Sequence, residues 1–86
     1  MIANHQEVKK LLNTAKGQIE GILRMVDDDR YCIDISTQLL ATTALLKKIN
    51  SKVLTAHLEH CVLATLDEEG KTKIAEIVEI IEKLNK

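Results

Sequence analysis

The chain has 86 residues, 45% of them hydrophobic, with no Phe, Trp or Pro, one Tyr, two Cys and a formal net charge of −1. That length gives one domain, residues 1–86, whose compact monomer would bury only about two-thirds of its unfolded surface. The aliphatic composition suits long helices packed ridge into groove and implies burial between subunits, while no run of 18 apolar residues is present to cross a membrane.

Helix is the only period that fits. Val8, Leu12, Ala15, Ile19, Ile22 and Val26 form an apolar stripe over a first helix. Gly17 and Gly21 sit within it at small-xxx-small spacing. Each costs ~1 kcal/mol against Ala in a soluble helix, so the spacing predicts a close approach of another backbone. Asp27, Asp28 and Asp29 end the stripe, because acids oppose the macrodipole at a helix C-terminus, and one of them is expected to cap the next helix.

The second predicted helix runs from about Tyr31 to about Leu66 without Gly or Pro. Ile35, Leu39, Thr42, Leu46, Ile49, Val53 and Ala56 follow the ~3.5-residue period of a coiled-coil seam. A second stripe through Leu40, Ala44, Leu54, Leu58 and Val62 predicts more than one neighbour for this helix. Asp67-Glu68-Glu69-Gly70 is expected to break it. A third helix comes next, about Thr72 to Leu84, with Ile74, Ile77, Val78, Ile81 and Leu84 on one face and Ile80 alongside. The expected fold is all-α, three helices per subunit in short–long–short order.

Charge is segregated along the chain. Residues 1–26 and 47–61 are net basic, and residues 27–34 and 62–86 net acidic, so folding can gather Lys and Arg on one face. Two cysteines without a signal-peptide pattern at the N-terminus point to a cytoplasmic, reducing setting and to thiol chemistry rather than a structural disulfide.

Cys32, His57 and Cys61 are the residues with metal chemistry. His57 and Cys61, four apart, share one helix face. Cys32 precedes His57 by 25 residues, roughly 37 Å along one continuous helix, so the three cannot meet within a chain. They can meet when two copies pack antiparallel. For the same reason no disulfide is expected between Cys32 and Cys61 of one chain. Two thiolates and an imidazole make a soft three-donor set suited to Cu(I), one short of what structural Zn²⁺ prefers. The alternative for such cysteines is service as small apolar groups. His60 points away from the pair and His5 is a remote fourth donor. No phosphate loop, positioned catalytic triad or cofactor pocket is legible, so the chain is read as no enzyme and as having no small-molecule substrate.

The run KGQIEGILRMVDDDRYCIDISTQL followed by AHLEHCV, with its Arg30-Tyr31-Cys32 and His57-x-x-x-Cys61 elements, closely resembles the copper-sensing operon repressor (CsoR) group of bacterial metal-sensing repressors. The resemblance covers about residues 7 to 82. It implies an antiparallel helical dimer, two of which form a tetramer, with Cu(I) held by Cys32 of one copy and His57 and Cys61 of the other. It also implies Tyr31 and, allowing a one-residue gap before Gly70, Glu76 in hydrogen-bonding support of that site. The resemblance further implies repression by the metal-free tetramer on double-stranded operator DNA, and release on metal binding. Without a helix-turn-helix, the DNA contacts would fall to Lys9, Lys10, Lys16, Lys47, Lys48 and Lys52. Relatives usually carry a basic residue in the first helix where this chain has Leu11 and Asn13, which predicts a thinner DNA face.

Two other readings compete. One is a sensor of the same family with a different inducer: another metal, a reactive sulfur species or an aldehyde. The other is a helical oligomeric metal-binding protein with weak or no DNA binding, suggested by Leu11, Asn13 and the charge of −1.

Overall fold

The computed structural model describes residues 1–62 and 67–84, with the side chains of Cys61 and Val62 outside the described set. Helix α1 spans His5–Asp27 and helix α2 spans Cys32–His57, which a π-helical turn, Leu58–Val62, continues. Helix α3 spans Glu68–Leu84. The all-α, three-helix expectation holds. The second helix is shorter as an α-helix than the expected Tyr31–Leu66: Tyr31 is its N-cap, its α-helical hydrogen bonding ends at His57, and residues 63–66 lie outside the described residues.

The helix ends are set by local chemistry. Asn4 caps α1, its Oδ1 accepting from the Glu7 N–H at 3.0 Å. At the other end Asp29 adopts φ 52°, the left-handed region, while Arg30 N–H donates to Met25 O at 2.9 Å and Asp29 N–H to Val26 O at 3.0 Å. This is a Schellman stop with an aspartate where glycine is usual. The acids therefore end α1 but do not cap α2, whose N-cap Tyr31 makes no side-chain capping bond. Asp29→Gly is expected to raise stability by up to about 1 kcal/mol, since it removes the left-handed penalty and a carboxylate from a helix C-terminus. The urea midpoint at fixed protein concentration measures it, and a lower midpoint would contradict the strain.

The segment expected to break the chain proves to be a helix start. Asp67 Oδ1 accepts from Gly70 N–H at 2.8 Å, and Glu68 and Glu69 lie in the first turn of α3, where the macrodipole favours acids.

Helices α1 and α2 form an antiparallel hairpin, which has more contacts than any other pair of elements. Val8, Ile49 and Ala3 are its buried centre, with Leu11, Leu45, Val53 and Ala56 packed around them. Farther along, Ala15, Ile22 and Thr42 are buried, and the Thr42 hydroxyl donates to Gln18 Oε1 at 2.8 Å, with Gln38 O at 3.1 Å as an alternative acceptor. Half of the α1 stripe and five of the seven α2 seam positions therefore face inward. Leu12, Ile19 and Val26 of α1 and Leu39 and Leu46 of α2 stay 43–56% exposed, because a single neighbouring helix covers only one side of each.

The molecule measures 56 × 24 × 10 Å with a radius of gyration of 17.0 Å, against ~12 Å for a compact domain of this length. Ten ångströms is about one helix diameter, so the helices form a single layer. Among the described residues, no large side chain is fully buried. Leu40 and Leu54 of the second α2 stripe are uncovered, as are Leu23, Ile33 and Ile80. Apolar residues around the whole of α2 need cover on more than one side, and the chain supplies one. Among the described residues, Gly17 and Gly21 receive no close backbone approach from another element: a Cβ on Gly17 would meet nothing within 4 Å, and one on Gly21 only the Arg24 side chain at 3.8 Å.

Candidate functional site

Cys32 is the first residue of α2, exposed, and next to the exposed N-cap Tyr31. His57 is the last residue of the same helix. It is exposed and, with Met1, Ile2, Asn50, Val53 and Leu54, lines a largely apolar depression of about 340 Å³. An uninterrupted 26-residue α-helix holds these two donors at opposite ends, ~37 Å apart. One chain cannot bring them together, nor can it join Cys32 to the backbone of Cys61, which a disulfide needs within ~7 Å. Cys61 lies in the π-helical turn, and its side chain is outside the described residues. The shift to i→i+5 hydrogen bonding starts directly after His57, and such π-helical insertions concentrate at functional sites. Among the described residues, no three His, Cys, Asp or Glu side chains of one chain converge on a site that could hold a metal ion.

Glu76 is exposed on α3, which packs against the π-helical turn and the C-terminal part of α2. Tyr31 lies at the Cys32 end and Glu76 on the helix that packs at the His57 end, so they too could share a site only across two copies. His60 is exposed in the π-helical turn and His5 is exposed as the first residue of α1.

Of the six basic candidates, Lys9, Lys10 and Lys16 are exposed on α1, and Lys47 and Lys48 on α2. Lys9 and Lys10 border a shallow groove with Gln6, Asn13 and Thr14. Lys52 is half-buried, and its Nζ pairs with Glu7 Oε1 at 2.7 Å, tying the start of α1 to the end of α2. The hydrogen bond from Lys52, then its charge, with Lys48 adding, holds the Glu7 carboxyl below its ordinary value of 4.5. A depressed carboxylate stabilises the fold above its unfolded value and loses that contribution as pH falls through the lower folded value. Glu7→Gln is therefore expected to lower the thermal midpoint at neutral pH, with the gap to wild type closing as the pH drops beneath 4.5. A gap independent of pH would contradict the pairing.

The structure corrects one reading of the first helix. Leu11 is half-buried against the Val8–Ile49 centre, so its side chain belongs to the interhelical core and subtracts nothing from an outward basic face. Asn13 does lie on that face. Sequence reasoning also missed the Gln18–Thr42 bond. Its signal was present: Gln18 occupies an inward position of the Val8, Leu11, Ala15, Ile22 strip, level with the only polar residue of the α2 seam. The Glu7–Lys52 pair joins residues 45 positions apart and leaves no local signal.

Among the described residues, no helix is long and apolar enough to cross a membrane. The profile of the family described as metal-sensitive transcriptional repressors matches residues 4–83. The chain is 43% identical over 61 residues to the copper-sensing transcriptional repressor RicR of Mycobacterium tuberculosis, covering 71% of this chain and 64% of that protein. It is 39% identical over 71 residues to the copper-sensing transcriptional repressor CsoR of Mycobacterium ulcerans, covering 81% and 61%. Against the copper-sensing transcriptional repressor CsoR of Bacillus subtilis it is 33% identical over 81 residues, covering 93% and 80%. The chain thus spans under two-thirds of the length of the two mycobacterial relatives and four-fifths of the Bacillus one. No solved structure matches it. With four-fifths or more of its length matched by the profile and a three-helix fold to go with it, the chain belongs to the family of metal-sensitive transcriptional repressors.

Proposed function

We propose that this protein is a cytosolic Cu(I)-responsive repressor that binds operator DNA as a metal-free homotetramer and releases it when copper is bound. The observation that carries the reading is the placement of Cys32 and His57 at the two ends of one rigid helix, in a single-layer molecule with uncovered apolar faces. Antiparallel pairing of two copies would cover those faces and bring Cys32 of one beside His57 and Cys61 of the other. The donor set fits the metal: two thiolates and an imidazole are soft and few, which favours Cu(I) over four-coordinate Zn²⁺. Bound copper would supply a soft crosslink between the two chains at each end of the dimer.

His57, ligating through one ring nitrogen, keeps the other N–H for a hydrogen-bond acceptor, and Tyr31 and Glu76 are the polar groups assigned to it. Glu76 is carried on α3, so a bond from His57 would bias the pose of that helix against the hairpin. Each tenfold loss of DNA affinity needs ~1.4 kcal/mol of difference between the two poses. Glu76→Ala is expected to bind Cu(I) nearly as tightly as wild type yet stay on DNA when copper is added.

The test is a gel shift on the chain's own promoter region under reducing conditions. Metal-free protein should retard the fragment, and one equivalent of Cu(I) per subunit should release it. Release by another metal or by a persulfide, with copper inert, would reassign the inducer. Failure of the metal-free protein to bind any duplex would leave only an oligomeric metal-binding protein.

A further inference from the structure

Helix α1 has three faces. Val8, Leu11, Ala15, Gln18 and Ile22 face α2, and Leu12, Ile19, Leu23 and Val26 form an uncovered apolar strip. The remaining face is polar. Along it Gln6, Asn13 and Gly17 succeed one another at steps of seven and four, so they stand on one ridge, flanked by Lys9, Lys10 and Lys16. Glu7 is exposed but paired with Lys52, and Glu20 and Arg24 follow Gly17 on the same face.

Gly17 is unexplained by the fold. A Cβ there would meet open space, and its φ is not positive, so neither packing nor backbone conformation requires glycine. It nonetheless costs this helix ~1 kcal/mol against Ala. A glycine that the described residues do not need, on an exposed ridge with Lys10 and Lys16 before it and Glu20 and Arg24 after it, marks the close approach of something outside the chain. Basic flanks make a nucleic-acid backbone the complementary partner.

Resting on the repressor reading above, we infer that α1 meets operator DNA along the Gln6–Asn13–Gly17 ridge, and that Asn13 is a specificity-determining residue reading adenine. The carboxamide of Asn matches the adenine major-groove edge, donating to N7 and accepting from the N6 amino group. Lys9, Lys10 and Lys16 grip phosphates on either side, and Gly17 lets the helix backbone come close enough for the short Asn13 side chain to reach.

The experiment selects duplexes from a randomised operator core with wild type, Asn13→Ala, Lys9→Gln, Lys10→Gln and Gly17→Ala, then measures binding across a salt series. Ala raises helix propensity at both positions, so loss of folding is not an expected confounder, and circular dichroism checks it. Asn13→Ala should lose an adenine preference at one position per half-site, roughly 5- to 150-fold, with an unchanged salt slope. Lys9→Gln and Lys10→Gln should flatten the slope by about 0.9 for each phosphate no longer neutralised and leave base preference alone. Gly17→Ala should melt higher yet bind every duplex more weakly. Wild-type base preference in Asn13→Ala overturns the readout, and wild-type affinity in Gly17→Ala overturns the close approach. A wild-type protein that binds no duplex overturns the repressor reading and this inference with it.

Discussion

Cys32→Ala protein and His57→Ala protein should each fail to hold Cu(I) against a competing chelator, whereas a mixture allowed to exchange subunits should recover about a quarter of the wild-type capacity. Random pairing makes half the dimers mixed, and a two-fold interface gives each mixed dimer one intact site and one doubly broken one. That recovery depends on the ~37 Å of helix between the two donors, which forbids assembly of the site in one chain. A single-chain site would give no recovery at any mixing ratio. A mixture as empty as its parents would therefore remove the cross-subunit site, and recovery well above one quarter would show preferential pairing.

The second large effect concerns the uncovered face of α2. Leu39 and Leu46, one heptad apart, are 50% and 43% exposed in the single chain. Replacing both with Glu barely perturbs an isolated hairpin, because Glu is a good helix former and both positions reach water. In an assembly that covers the face, each carboxylate is buried without a partner at a cost of several kcal/mol, repeated by symmetry in every subunit. The double variant is expected to sediment as monomer and to lose most of its helical circular dichroism at micromolar concentration. A single layer without one fully buried large side chain has little to hold it. A monomeric variant with the wild-type melting temperature would show the layer to be self-sufficient.

What the sequence disclosed and what it concealed divide along the range of the interactions. Helix number and order were legible because apolar periodicity is local, and the separation of Cys32 from His57 was legible because a helix is a ruler. Which positions of each stripe turn inward was not, because neighbouring positions such as Leu11 and Leu12 differ by one helical step and only the location of α2 decides between them. Asp67–Gly70 carried signals of opposite sign, a glycine breaker and an Asp cap with acids in the first turn, and the cap prevailed. The left-handed Asp29 was hidden because any of three consecutive acids could have closed α1. The π-helical turn after His57 rests on backbone bonds one residue longer, a change no side-chain pattern announces. Glu7–Lys52 needed the finished hairpin.

The hydrogen bond between Gln18 and Thr42 has a mechanical consequence. Sliding α1 along α2 by one turn, ~5.4 Å, would part buried Thr42 from part-buried Gln18 and separate Glu7 from Lys52 in the same movement. Thr42 would keep Gln38 O as an acceptor, so the cost falls on the part-buried Gln18 carboxamide, which loses its partner. The register of the hairpin is thus marked at two points along its length. Both ties oppose a ratchet of one helix past the other, one of the ways helical proteins switch. A change of state then falls to tilting whole hairpins against each other or to re-seating α3.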